Sequence, residues 1–198
     1  MFTFEEMSAS FDWSRVNTVG PVFDLDKLAW LNGHYVRELS QEEFAARALP
    51  FLQRAGLVAD PPSDAELAQV RALVPAMQTR VAVLSELPEQ VRFMFVPEEE
   101  FAVDPAAAAK GLGPEQVPVL TAAADALAAV QEWTPSAVQA AVDAVLLEGG
   151  LGLSRKKAYL PLRVALSGRL IAPPLDEAIA LLGRERALRR LRAAADVR

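Results

Sequence analysis

Residues 154–191 read SRKKAYLPLRVALSGRLIAPPLDEAIALLGRERALRRL, and this stretch decides the fold. Leu160, Val164, Leu166, Leu170, Leu175, Ile179, Leu181, Leu182 and Leu188 recur at the spacings of short helices, with no alternation of period two. Nine basic residues are set among them: Arg155, Lys156, Lys157, Arg163, Arg169, Arg184, Arg186, Arg189 and Arg190. Only Asp176, Glu177 and Glu185 oppose them. A basic surface on a small helical core points to a polyanionic partner. A solvated basic face accounts for the same composition.

The charge is confined to this end. The 198 residues carry a net charge of −6, but from Leu151 onward eleven basic residues face four acidic ones, a local +7. The remainder holds nine basic and twenty-two acidic residues, a local −13. Asymmetry of this kind is expected of a protein with a localised polyanion site.

Composition excludes several classes. Apolar residues make up 52% of the chain, so a packed core is expected. No run approaches the ~18 apolar residues that span a membrane. The N-terminus is acidic where a secretory leader is basic, so no targeting segment is read there. The chain has no cysteine, which removes disulfides and thiolate metal sites and makes the cytoplasm the simplest location. His34 is the sole histidine, so no multi-histidine metal site exists.

The rest of the chain also reads as helices. Thr3 and Glu6 form a capping box, with Phe4, Met7 and Phe11 on one side of a short helix expected to pack on the neighbouring helices. Gly20 and Pro21 end that segment. Asp24 caps a second helix, which Asn32-Gly33 is expected to break. Ser40 with Glu43 and Ser63 with Glu66 are two further capping boxes. Pro50 is expected to kink its helix or split it in two, Pro75 to kink a helix that continues toward Arg80 and Leu84, and Pro88 opens another. Residues 96–113 hold an acidic run, two prolines, two glycines and an Ala-rich turn, the best internal boundary. Two amphipathic helices come next, over 114–130 and 134–147, closed by Gly149 and Gly150. Glu98 to Glu100 reads as a solvated face, and Trp13, Trp30 and Trp133 read as packing residues. The expected fold class is all-α, two small helical-bundle subdomains. The divisions are 1–22 as a tail of a preceding region, 23–96 as the first subdomain and 97–198 as the second.

Two blocks carry a family resemblance. Lys157 to Gly168, Pro173 to Leu175 and Leu181 to Leu191 form the pattern basic-x-x-P-L-R-x-A-L-x-G, P-x-L, L-L-G-x-E-R-x-L-x-R-L. This resembles the C-terminal end of bacterial glutamyl-tRNA synthetases. Phe23, Asp24, Lys27, Leu28, Trp30, Leu31, Asn32, Gly33, Tyr35 and Arg37 are similar to the segment leading from that family's stem-contact region into its anticodon-binding region. Phe11 to Val16 also fits, and the resemblance covers essentially the whole chain.

The resemblance implies an anticodon-binding region of a class I aminoacyl-tRNA synthetase, acting on glutamate tRNA as a cytoplasmic monomer, away from membranes. Its catalytic domain would stand in cis and bind ATP. This chain itself would use no cofactor and no metal. The family's His-x-Gly-His signature needs two histidines. Leu153 to Lys157 only superficially resembles the family's Lys-Met-Ser-Lys-Ser loop and lies at the wrong end, so it belongs to the RNA-facing surface.

The resemblance also implies residue roles. Arg163 matches an arginine at the first anticodon base, with Ala172, Pro173 and Leu175 in the loop beside it. Counting back from P-E-x-x-R-x-x-F places Arg80 where the family has an arginine or glutamine at the third base. Arg155, Lys156, Lys157 and Arg169 offer partners to phosphates. Arg80 and Arg163 are expected to open onto one shared surface. A freestanding helical paralogue that binds tRNA or a protein without aminoacylation is the alternative.

Overall fold

The computed structural model describes residues 3–16, 19–20, 22–147 and 150–196. Pro21 and Gly149, both expected to end helices, lie outside the described residues. The described residues contain eleven α-helices and no strand. They are α1 (Phe4–Ser10), α2 (Leu25–Glu38), α3 (Gln41–Arg54), α4 (Asp64–Met77), α5 (Leu87–Phe95), α6 (Pro105–Gly111), α7 (Val117–Ala128), α8 (Pro135–Leu146), α9 (Arg155–Ser167), α10 (Leu175–Leu182) and α11 (Arg184–Ala195).

The helix starts obey the local chemistry. All three capping boxes form, with Thr3, Ser40 and Ser63 accepting from the N–H groups of Glu6, Glu43 and Glu66. Each satisfies donors that the first turn cannot pair internally. Asp24, Asp104 and Thr134 cap α2, α6 and α8 in the same way. Gly56 lies just past the end of α3 with φ +69°, the left-handed conformation that glycine adopts without steric penalty.

Several elements differ from the sequence expectation. Asn32-Gly33 does not break α2. Gly33 is buried mid-helix, and a Cβ there would come within 3.3 Å of Ala82 Cα. The glycine permits a close backbone approach, which Asn32 fixes by donating to the Ala82 carbonyl. His34 therefore sits within a helix, paired with Glu38 at 2.9 Å and stacked on Trp30. The chain leaves α4 at Met77, so Arg80 stands on the next turn rather than on a helix. Pro50 lies inside α3 and Pro75 inside α4, each a single unbroken helix. The Ala-rich stretch after Asp104 is helical as α6, and its Gly111 lets Val164 approach to where a Cβ would sit 2.6 Å away.

Packing separates into two groups joined at one seam. Helix α3 packs on α4 and α5, while α7 packs on α8, α9 and α11, and α10 on α8, α9 and α11. Their buried side chains, from Phe44, Leu52 and Met77 to Leu120, Leu162 and Ile179, form one continuous apolar cluster. The seam runs where α5 meets α9 and α4 meets α10.

Helix α1 does not pack into this cluster. It buries no residue, and Phe4, Met7 and Phe11 are exposed. Trp13, Phe23, Leu25, Leu28, Trp30 and Tyr35 are exposed as well. Trp13, 80% exposed, and Trp30, 63% exposed, are thus not packing residues of this chain. Trp133 is, half-buried against the core.

Candidate nucleic-acid interface

Helix α9 ends at Gly168, whose φ of +74° turns the chain sharply. A Cβ at Gly168 would meet the Ala102 carbonyl at 2.7 Å, so glycine is required on both counts. The Asp104 N–H donates to the Gly168 carbonyl at 2.9 Å and anchors the turn to the segment before α6. Ser167 Oγ donates to the Arg163 carbonyl at 2.7 Å and accepts from the Arg169 N–H at 3.2 Å. The loop 169–174 thus leaves α9 in a defined direction, with Ile171 80% exposed at its crest. Pro173 is buried, Ala172 is half-buried, and Leu175 starts α10 at 5% exposure. Pro173 and Leu175 support the loop from beneath and present little surface to a ligand.

Arg163 lies on α9, half-buried, and its Nε is shielded from solvent with no hydrogen-bond partner. A buried donor left unpaired is costly. Arg80 stands on the turn after α4, held by Nη1 donating to the Ala76 carbonyl and to Thr79 Oγ1, both at 3.3 Å. It lies within electrostatic reach of Glu177 on α10. Burial pushes the Glu177 carboxyl up, Arg80 pulls it back, and the neighbouring Asp176 raises it further. Glu177 Oε2 is likewise shielded and unpartnered. Helix α10 packs on α9, which carries Arg163, and on α4, which leads to Arg80.

The remaining basic residues divide sharply. Lys156 and Lys157 are exposed on the first turn of α9 and join no ion pair among the described residues. Arg155 pairs with Asp143 at 3.0 Å. Asp143 also accepts from the Tyr159 hydroxyl, whose pKa is raised by burial and by that bond. Arg169 reaches across the seam to Glu89.

Three arginines of the basic stretch are spent on the protein's own carbonyls. Arg184 donates to the carbonyls of Val130 and Gln131 and lies over the Trp133 ring at 5.1 Å. Arg186 donates to the carbonyls of Met94 at 2.7 Å and Val96 at 2.8 Å. Arg190 donates to Phe93 O at 3.0 Å and Leu166 O at 2.6 Å, and lies 3.5 Å from the Phe101 ring centroid. Glu98, its side chain 16% exposed, receives both guanidiniums at 2.6 Å, so it is a largely shielded clamp rather than part of a solvated face. Arg186 and Arg190 satisfy carbonyls that α5 leaves open at its C-terminus. The signal was present in the sequence. Arg190 falls in phase with Ala187 and Ala194 on the inward face of α11.

No group of three or more metal-ligating side chains occurs among the described residues, and none of their helices is long and apolar enough to cross a membrane.

A family model described as an anticodon binding domain matches residues 43–195. The chain is 50% identical over 197 residues to a glutamate–tRNA ligase of Acidothermus cellulolyticus, covering all of this chain and 39% of the relative. It is 44% identical over 192 residues to a glutamate–tRNA ligase of Thermus thermophilus, covering 96% and 39%. The chain thus spans about 39% of the length of these curated relatives. A crystal structure of a glutamate tRNA ligase from Elizabethkingia meningosepticum superposes with a TM-score of 0.75 at 22% identity, over 98% of this chain and 36% of that one. That likeness is one of fold.

Proposed function

The chain belongs to the anticodon binding domain family, and on that premise we propose that it binds the anticodon loop of glutamate tRNA as the non-catalytic part of a glutamate–tRNA ligase. Arg163 and Arg80 read the first and third anticodon bases. Lys156, Lys157, Arg155 and Arg169 pair with the flanking phosphates, and Ala172 borders the loop. Pro173 and Leu175 hold that loop in place. An ATP-binding catalytic domain works in cis, and the unit acts as a cytoplasmic monomer. The exposed large apolar side chains of α1 and α2 support a neighbouring domain, since exposed apolar surface of this kind marks interaction sites.

The observation that carries the reading is the Arg163 guanidinium, held half-buried with an unpaired Nε on the helix that leads into the loop 169–174. Splayed single-stranded bases offer the acceptors such a group lacks. The test is equilibrium binding of this chain to glutamate tRNA against a bulk tRNA control. Preferential binding supports it, and equal affinity for both removes it.

A further inference from the structure

Glu177 contacts no residue of the basic surface in an ion pair, yet its surroundings are unusual. It occupies the first turn of α10, the helix that packs against α4 just before Arg80. Its Oε2 is shielded from solvent and has no hydrogen-bond partner. Arg80 attracts it, yet among the described residues neither side chain takes part in an ion pair. Arg80 spends only Nη1 on the protein, on Ala76 and Thr79, out of the five N–H donors of an arginine. An unused acceptor and unused donors therefore stand near each other without closing on each other.

We propose that Glu177 is a specificity-determining residue of the anticodon site, its carboxylate accepting from the exocyclic amine of a cytosine whose neighbouring acceptor edge is met by Arg80. This rests on the proposed binding of an anticodon loop. Cytosine carries an N4 amino donor beside the N3 and O2 acceptors, so one edge matches a carboxylate and a guanidinium at once. Carboxylates recognise cytosine by accepting from N4. Uracil has the same size but presents the O4 acceptor where cytosine has its amine, and two acceptors facing each other repel. The hydrogen bond would also supply the partner that burial of Glu177 leaves wanting.

The experiment measures binding of the chain to anticodon stem-loops that differ only in cytosine or uracil at the third anticodon position. The wild type should prefer cytosine on the order of 10-fold, the size of one good base contact. Glu177→Gln, nearly isosteric, should bring the ratio to within about 3-fold, because an amide either donates or accepts. Glu177→Asp should retain the cytosine preference in weaker form. An unchanged ratio in Glu177→Gln, or an equal loss of affinity for both loops, overturns the inference and assigns Glu177 a structural role. Arg80→Ala separates the two claims. If it weakens binding while Glu177→Gln leaves the ratio alone, only the inference about Glu177 fails. If neither Arg80→Ala nor Arg163→Ala affects any loop, or the wild type binds none, the anticodon reading itself fails.

Discussion

Arg190 and Glu98, ninety-two residues apart, meet at 2.6 Å with the Arg190 side chain 2% exposed. The pair ties the last helix to the end of α5, and Arg186 joins it from one turn earlier on α11. It links the helices before residue 96 to those after residue 105. Removing one partner of a buried charge pair leaves the other uncompensated. Glu98→Gln should therefore destabilise the fold by roughly 3 kcal/mol. Thermal or urea unfolding measures it, and a loss of under about 1 kcal/mol would show that the clamp is dispensable.

The same carboxylate sets an acid sensitivity. Burial alone would raise the Glu98 carboxyl, but hydrogen bonds and attraction from Arg190 and Arg186 outweigh it and hold the group below 4.5. A carboxyl depressed on folding contributes stability above its unfolded value that is lost as pH falls through its folded value. Wild-type stability should decline below about pH 4.5, and the decline should be shallower in Glu98→Gln. Parallel pH profiles for the two proteins would contradict this account.

Arg184 separates structural arginines from those proposed to face RNA. Its contacts with Val130, Gln131 and Trp133 join α11 to the turn after α7. Arg184→Ala should cost about 1–2 kcal/mol of stability and leave the salt dependence of tRNA binding as it was. A shallower salt dependence in this variant would return Arg184 to the phosphate-binding set.

Salt titration tests the exposed pair on α9. If ~3 to 5 basic side chains contact phosphates, the slope of log affinity against log salt should be roughly −2 to −4. Lys156→Ala with Lys157→Ala should make it shallower without altering preference among tRNAs. If the slope stays put, these lysines are only a solvated face.

Arg163 and Arg80 should fail in different ways. Arg163→Ala should weaken every glutamate-type anticodon, by on the order of 1–3 kcal/mol if its contact is direct. Arg80→Gln should instead relax discrimination at the third base, since glutamine both donates and accepts. Charging of glutamate and glutamine tRNAs by a full-length enzyme reads both effects. An unchanged ratio in Arg80→Gln would leave Arg80 an ordinary surface residue of its turn.

The all-helical class and the capped starts of several helices were decided by the sequence alone. A capping box needs only residues three apart, and an apolar stripe only a period of 3.6, so Thr3, Ser40 and Ser63 announced α1, α3 and α4 without reference to anything distant. The order of residues in the last forty positions also carried the resemblance to an anticodon-binding region, which the family match supports. What the sequence could not divide was its own basic stretch. Charge is a local property, but its use depends on what the fold brings opposite. Arg186 and Arg190 are indistinguishable from Lys156 and Lys157 by charge until the packing of α11 against the end of α5 places Glu98 and three open carbonyls before them. Gly33 reads as a breaker because nothing in its neighbourhood reveals Ala82, forty-nine residues on, whose close approach makes a glycine the right residue for an unbroken helix. Glu177 too is one acid among many in the sequence, and only the meeting of α10 with α4 sets it beside Arg80. Local patterns fix which segments coil, because their energetics are short-ranged. Whether a charge is solvated, paired or left open is decided by desolvation and contact across the chain, and these exist only once the helices have packed.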